Sequence, residues 1–226
     1  MIPSVTTTTR VRTPALGQRP GAGRPDDGRP PDRGEPPPPS PRTYRLGMIF
    51  ALAGISMLFL GFTSAYVVRQ GLGGDWQPFD WPPVLWVNTV VLLTSSATLW
   101  RAGVCFHHTH WRAFARWTTV TSLLGLGFLA GQLWVWHQLR MRGIYLNTNP
   151  NSSFFYLLTG THGVHLAGGI VALLWLSILA WRLVRPTEAT SATIARCRIA
   201  VDVTSLYWHF LDGLWIFLVL LLFLWR

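Results

Sequence analysis

The chain contains no lysine: all 19 of its basic residues are arginine. Acidic residues are scarce, nine in 226, and there are two cysteines. Each shortage excludes something. Cys105 and Cys197 are too few and too widely separated for a disulfide framework or a cysteine-based zinc site, so both read as free thiols. A formal net charge of +10 would suggest nucleic acid in a soluble protein. Here half the residues are apolar and only 12% are charged. The arginines sit in an N-terminal segment and at the ends of apolar runs, where membrane topology signals belong, so no nucleic-acid partner is expected. Phosphate loops, a Ser-His-Asp pattern, strand-like alternation and internal repeats are all missing from the sequence.

What is present is a polar head and five apolar runs. Residues 1–44 hold eleven of the sixteen prolines and seven of the arginines, with almost no large apolar side chains. Such a segment cannot bury a core and is expected to be a disordered cytoplasmic tail, with Pro36–Pro39 as a stiff polyproline II piece. The first apolar run begins only near Leu46, so no secretory signal peptide is expected. Residues 45–226 then read as a five-helix transmembrane domain, with spans at 46–68, 84–100, 114–136, 154–181 and 203–225. Each approaches the roughly 20 residues that cross a hydrocarbon core. Trp76, Trp81, Trp86, Trp100, Trp111, Trp117, Trp136, Trp181 and Trp225 fall near the expected interfaces, as an aromatic belt should. The class is an all-α integral membrane protein.

Charge bias sets an expected orientation. Arg33, Arg42, Arg45, Arg101, Arg112, Arg116, Arg182, Arg185, Arg196 and Arg198 flank one side, and Arg69, Arg140, Arg142 and Arg226 the other. The positive-inside rule then puts the N-terminus in the cytoplasm and the C-terminus outside.

Inside the spans the polar residues stand out. The last helix carries Tyr207-Trp208-His209-Phe210-Leu211-Asp212-Gly213-Leu214-Trp215. His209 and Asp212, three residues apart, share one helix face. A carboxylate near the bilayer centre costs roughly 3 kcal/mol on insertion scales, so that face must meet protein or water. Asp202, at the start of the same helix, is the only other acidic residue in the spans. Helix 4 carries Thr159-Gly160-Thr161-His162-Gly163-Val164-His165, again with two polar rings on one face. His162, His165 and His209 are the residues that could ligate haem or copper. They could equally bond to neighbouring helices, to Asp212 or to a lipid headgroup. The cluster His107, His108 and His110 reads as a solvated loop beside Arg101 and Arg112.

Taken together, the Thr-Gly-x-His-Gly-x-His and Tyr-Trp-His-Phe-x-Asp segments, in order on the last two of five spans, resemble the signatures of subunit III of the haem–copper respiratory oxidases. The resemblance covers about residues 45–226. Gly47-Met48-Ile49, Gly61-Phe62, Ala65-Tyr66, the loop Gly73-Gly74-Asp75-Trp76, Pro82-Pro83, Asn88-Thr89 and Gly143-Ile144-Tyr145 are also similar to the family. The sequence departs from it at Ile55 and Val135, where many members carry buried glutamates, and at Asp202, where a glutamate often opens the last helix. Roles attached to those buried glutamates are not carried over.

The resemblance implies an accessory, non-redox subunit in a bacterial plasma membrane. It implies that haem and copper reside in partner subunits, catalytic subunit I among them and subunit II beside it. It also implies a structural phospholipid in a cleft between a two-helix pair, helices 1 and 2, and a three-helix bundle, helices 3–5. Tyr66, Arg69, His162, His165, His209, Asp212 and Asp202 are the residues expected to line the cleft or join helices. No catalytic, cofactor-binding or metal-binding residue is expected in the chain, which favours the helix-bonding reading of the histidines. Three alternatives remain: the same fold serving a nitric oxide reductase, a stand-alone transporter, and a membrane haem protein using His162 or His165 with His209.

Overall fold

A computed structural model describes residues 41–74, 83–146 and 149–224. These residues contain no strand and form five helices: α1 Pro41–Leu72, α2 Val84–His107, α3 Trp111–Met141, α4 Pro150–Leu183 and α5 Ser191–Leu224. All five are long and apolar enough to cross a membrane. Even α2, with 24 residues, spans about 36 Å at 1.5 Å per residue. Residues 1–40, together with Trp76, Trp81, Pro82, Trp225 and Arg226, lie outside the described residues.

The helices outrun the apolar segments read from the sequence. α1 starts at Pro41, α2 continues through Arg101 to His107, and α5 starts at Ser191 rather than 203. Hydropathy marks only the part that lies in hydrocarbon. Beyond it the backbone ladder persists, because arginine and histidine side chains reach from a helix end to water.

Local chemistry fixes the ends. Asn149 caps α4: its side chain accepts the Ser152 N–H at 2.9 Å, Ser152 bonds back to the Asn149 backbone, and Pro150 takes the first helical position. After α3 the chain reverses at Gly143, whose φ of +75° favours glycine. There the Ile144 N–H bonds back to the Leu139 carbonyl at 3.0 Å. A three-residue turn, His108 to His110, joins α2 to α3, with Thr109 at φ 58°.

α2, α3, α4 and α5 pack sequentially, and α2 also meets α5, which closes a four-helix bundle. α1 lies outside it against α4 and α5, without packing on α2. The expected division into a helix 1–helix 2 pair and a bundle of helices 3–5 is therefore corrected. The reason lies in which faces are already occupied. Leu52, Phe59 and Tyr66, at heptad spacing, form the buried stripe of α1. Phe59 meets the His165 ring of α4 at 5.9 Å, and Tyr66 meets Phe154 of α4 edge-on at 5.6 Å. The inward side of α2, with Leu85, Asn88, Leu92, Ser95 and Leu99, is taken by α3 and α5, as the Asn88 bond to the Phe128 carbonyl and the Trp208 bond to Ser95 show.

Candidate functional site

The polar groups of greatest interest lie about halfway along the helices. On α5, His209 keeps 41% of its side chain exposed while Asp212, one turn on, keeps 5%. His209 Nδ1 lies 4.0 Å from Asp212 Oδ2. Ser96 of α2 places its Oγ 2.6 Å from the same Nδ1 and stands beside the Asp212 carboxylate. Serine, histidine and aspartate thus do meet, across 113 residues of sequence. They do not form a hydrolytic triad. A triad needs the serine on one imidazole nitrogen and the carboxylate on the other, and here Nδ1 faces both. The arrangement joins α2 to α5 and places an imidazole on the outer surface of the bundle at mid-depth.

His162 behaves differently. It is fully buried, its ring tilted against Trp215 of α5 at 5.1 Å and edge-on to Phe128 of α3 at 6.3 Å. Neither ring nitrogen has a hydrogen-bond partner among the described residues. His165 turns the other way, toward α1. Its Nδ1 is 2.8 Å from the Thr161 carbonyl, and its own carbonyl accepts the Tyr207 hydroxyl at 2.9 Å. The two histidines of the helix 4 signature therefore serve different interfaces. His162 and His209 also have different neighbours, so no facing histidine pair brackets a cofactor space. Among the described residues no three His, Cys, Asp or Glu side chains converge as a metal-binding group.

The remaining expected site residues are dispersed. Tyr66 is fully buried near the far end of α1, and Arg69 follows in its last turn. Asp202 is exposed, ten residues before Asp212 and near the arginine-rich end of the bundle. No single cleft gathers the seven. Both cysteines are free, Cys197 buried and Cys105 partly so.

Three contributors escape a reading of the sequence. Ser96 looks like an ordinary serine in a Thr-Ser-Ser run until α5 is laid against it. Asn88 donates to the Phe128 carbonyl at 3.1 Å and ties α2 to α3. Gln132 is 2% exposed in the last third of α3, and neither end of its amide is bonded. A glutamine inside an apolar span was the one visible signal.

Hollows also open on the surface, and two of them lie against α5. One, of about 370 Å³, lies between α1 and α5 and is lined by Ser56, Phe59, Leu60, Phe210, Gly213 and Phe217. The other, of about 340 Å³, has Tyr44 and Arg196 at its arginine-rich end and Ala172, Trp175, Ile199 and Val203 along its apolar wall.

Fold and site together define a class: a polytopic helical membrane protein, cross-tied by polar side chains at mid-depth. Comparison with known proteins then supplies the family. The family model described as cytochrome c oxidase subunit III matches residues 37–226. A Synechocystis protein named cytochrome c oxidase subunit 3 is 32% identical over 182 residues, 79% of this chain and 74% of that one. A Mycobacterium tuberculosis protein named probable cytochrome c oxidase subunit 3 is 33% identical over 184 residues, 78% of this chain and 85% of that one. A namesake from Bacillus sp. strain PS3 is 31% identical, with 79% and 84% covered. The chain belongs to the cytochrome c oxidase subunit III family. It is accordingly a membrane-embedded accessory subunit of a haem–copper oxidase, one part of a multi-subunit complex, and the nitric oxide reductase and transporter alternatives are not favoured.

Proposed function

We propose that this chain steadies the catalytic subunit I of its oxidase, with subunit II in the same complex, while haem and copper are held by those partners. The observation that carries the proposal is the His209 imidazole. It sits midway along α5, 41% exposed, with its carboxylate and hydroxyl partners on the Nδ1 side only. Lipid tails offer such a ring nothing, and an unsatisfied polar group in hydrocarbon costs several kcal/mol. A polar side chain from a neighbouring subunit satisfies it. The shallow burial of α1 supports the same reading: 11% of its most apolar stretch is buried, against 33–44% in the other four helices. The membrane is a bacterial plasma membrane, with the N-terminus cytoplasmic and the C-terminus outside, on the strength of the arginine asymmetry.

Structural phospholipid is the second part of the proposal. The hollow with Arg196 and Tyr44 at its mouth and Trp175 and Val203 along its wall has the chemistry of an anionic lipid: a cation at interfacial depth above an apolar trough. His209 and Asp212, at mid-depth, are assigned to helix and subunit contacts rather than to headgroups.

The test is a mild-detergent pull-down of the tagged chain from its native membrane, with mass spectrometry and a reduced-minus-oxidised spectrum. Recovery of a haem–copper catalytic subunit with oxygen-reductase activity is the expected result. Recovery of the chain alone, without haem, overturns the proposal.

A further inference from the structure

The interior of the α2–α5 bundle contains more polar groups than it satisfies. Most of them pair. Ser122 bonds Ser177 at 3.1 Å, Thr98 bonds Thr121 at 2.9 Å, Trp208 donates to Ser95 at 3.0 Å and Trp215 donates to Thr89 at 3.1 Å. Three residues do not, nor does Gln138 Oε1 near the end of α3. Both amide atoms of Gln132, both ring nitrogens of His162 and both carboxylate oxygens of Asp212 are buried without a hydrogen bond of regular geometry. The residues are 2%, 0% and 4% exposed, so all three side chains point into the bundle rather than into lipid.

The packing register puts them at one level. α3 and α4 are antiparallel, with Trp136 bonded to Thr159 and Ser122 to Ser177. Gln132, one turn before Trp136, therefore lies opposite the residues one turn after Thr159, among which is His162. α4 and α5 are antiparallel as well, with Tyr207 bonded to the His165 carbonyl and the His162 ring against Trp215. Asp212, between Tyr207 and Trp215, falls at the height of residues 162–165. Phe128, one turn from Gln132 on α3, touches both His162 and Trp215, at 6.3 and 4.9 Å between ring centroids.

Six buried polar atoms at one level, on three different helices, cannot be left in an apolar interior. An orphaned buried donor or acceptor costs about 1–3 kcal/mol, and native proteins satisfy more than nine in ten of them. The composition is complementary: an amide offers donors and acceptors, an imidazole one of each, and a carboxyl accepts. We propose that the centre of this bundle is a water-binding site, with bound water bridging Gln132, His162 and Asp212. The water ties α3, α4 and α5 together at mid-membrane, where a buried water typically makes about three hydrogen bonds. The 4.0 Å gap between Asp212 Oδ2 and His209 Nδ1 is too long for a direct bond, which leaves those carboxylate oxygens available to the interior.

Trp208 and Trp215 provide the internal control. Both are essentially fully buried on α5, and both indole N–H groups are bonded, but of the two it is Trp215 whose ring lies against His162. X-ray hydroxyl-radical footprinting generates radicals from bound water where it sits and labels the adjacent side chains. Applied to the solubilised full chain with its copurifying partners, it is expected to oxidise Trp215 several-fold faster than Trp208. The variant Gln132→Met, which keeps the side-chain shape and removes the amide, is expected to reduce Trp215 labelling toward the Trp208 level while the complex still assembles. Equal and low labelling of the two tryptophans in the parent chain overturns the proposal. Labelling of Trp215 that Gln132→Met leaves unchanged also overturns it, because the water would then lie elsewhere. Should Gln132→Met fail to assemble, the parent Trp215-to-Trp208 ratio decides alone.

Discussion

The glycines of α1 and three glycines of the four-helix bundle meet opposite surroundings. On α1, Gly47, Gly54 and Gly61 recur every seven residues, and a methyl group added to any of them would meet nothing within 4 Å. They lie on the side of the helix away from the buried stripe of Leu52, Phe59 and Tyr66. In the bundle, a Cβ on Gly131 would collide with Asn88 Oδ1, and one on Gly125 would come to 2.8 Å from the Trp208 ring. A Cβ on Gly169 would come to 3.1 Å from Trp208 and Tyr207. Trp208 is thus held between Gly125 of α3 and Gly169 of α4 while its N–H bonds to Ser95 of α2. Three glycines seal the bundle, although Gly103, Gly127, Gly163 and Gly213 of the same four helices face open space, whereas no described residue packs against the glycines of α1. Close approach of helices in lipid rests on small residues, since no hydrophobic force draws apolar helices together there. A glycine stripe is therefore informative only when the opposing surface is known.

The largest expected effect lies in the bundle. Gly131→Ala puts a methyl group where Asn88 Oδ1 stands and drives off the side chain that bonds the Phe128 carbonyl. Overpacking costs about 1–3 kcal/mol, and the lost buried bond about 1 more. Thermal unfolding of the detergent-solubilised chain should register a loss of about 2–4 kcal/mol. If Gly131→Ala is as stable as the parent, the α2–α3 interface is not as tight as described.

Asp212→Leu comes next, and it separates folding from assembly. Removing a buried carboxylate and adding a branched apolar side chain should change the stability of the isolated chain by no more than about 1–2 kcal/mol, because the apolar side chain offsets much of what the bonds of the carboxylate contribute. Recovery of the catalytic subunit should fall several-fold, more than for a lipid-facing change such as Val171→Ala. Full copurification with normal oxidase activity would show that the polar face of α5 is not what the partner recognises.

How far the sequence revealed this comparison varies by feature. The five spans and the helical class were legible, because hydrocarbon thickness imposes a length and a composition that any sequence window detects. The polarity of His209 and Asp212 was legible for the same reason. Their third member, Ser96, was not, since the helix that α2 faces is a tertiary fact and serine in an apolar span usually bonds its own backbone. The same limit explains the misplaced α1. Apolar faces on α1 and α2 are equally compatible with pairing, and only the prior use of α2 by Trp208, Trp215 and Asn88 closes that option. His162 and His165 read as one motif on one face, yet the three-residue step from one to the other rotates the rings by about 60° around the helix. That rotation suffices to send one into the core and the other toward α1.

A smaller effect tests the polar ties within the bundle. Trp215→Phe keeps an aromatic ring beside His162 and Phe128 but removes the N–H that bonds Thr89 at 3.1 Å. A net loss of about 1 kcal/mol is expected, from one neutral hydrogen bond and a slightly smaller ring. Trp208→Phe should cost more, because that ring fills the gap between two glycines and Phe leaves part of it empty. Reversal of that order would mean that Trp215, rather than Trp208, is the keystone of the core.

The smallest effect on stability belongs to α1. Gly54→Ala and Gly61→Ala add methyl groups into open space on an exposed face, so unfolding of the isolated chain should move by less than about 0.5 kcal/mol, or gain slightly from the better helix propensity of alanine. In the assembled oxidase the two variants have a different meaning. If a partner helix approaches α1 along Gly47, Gly54 and Gly61, the added methyl groups hold it off, and copurification of the catalytic subunit falls while the stability of the solubilised chain does not. If lipid covers that face, neither quantity changes. Measuring both on the same Gly54→Ala/Gly61→Ala preparation distinguishes a helix from lipid on α1. Together with Asp212→Leu, it shows whether the partner engages this subunit through the polar face of α5 alone or through α1 as well.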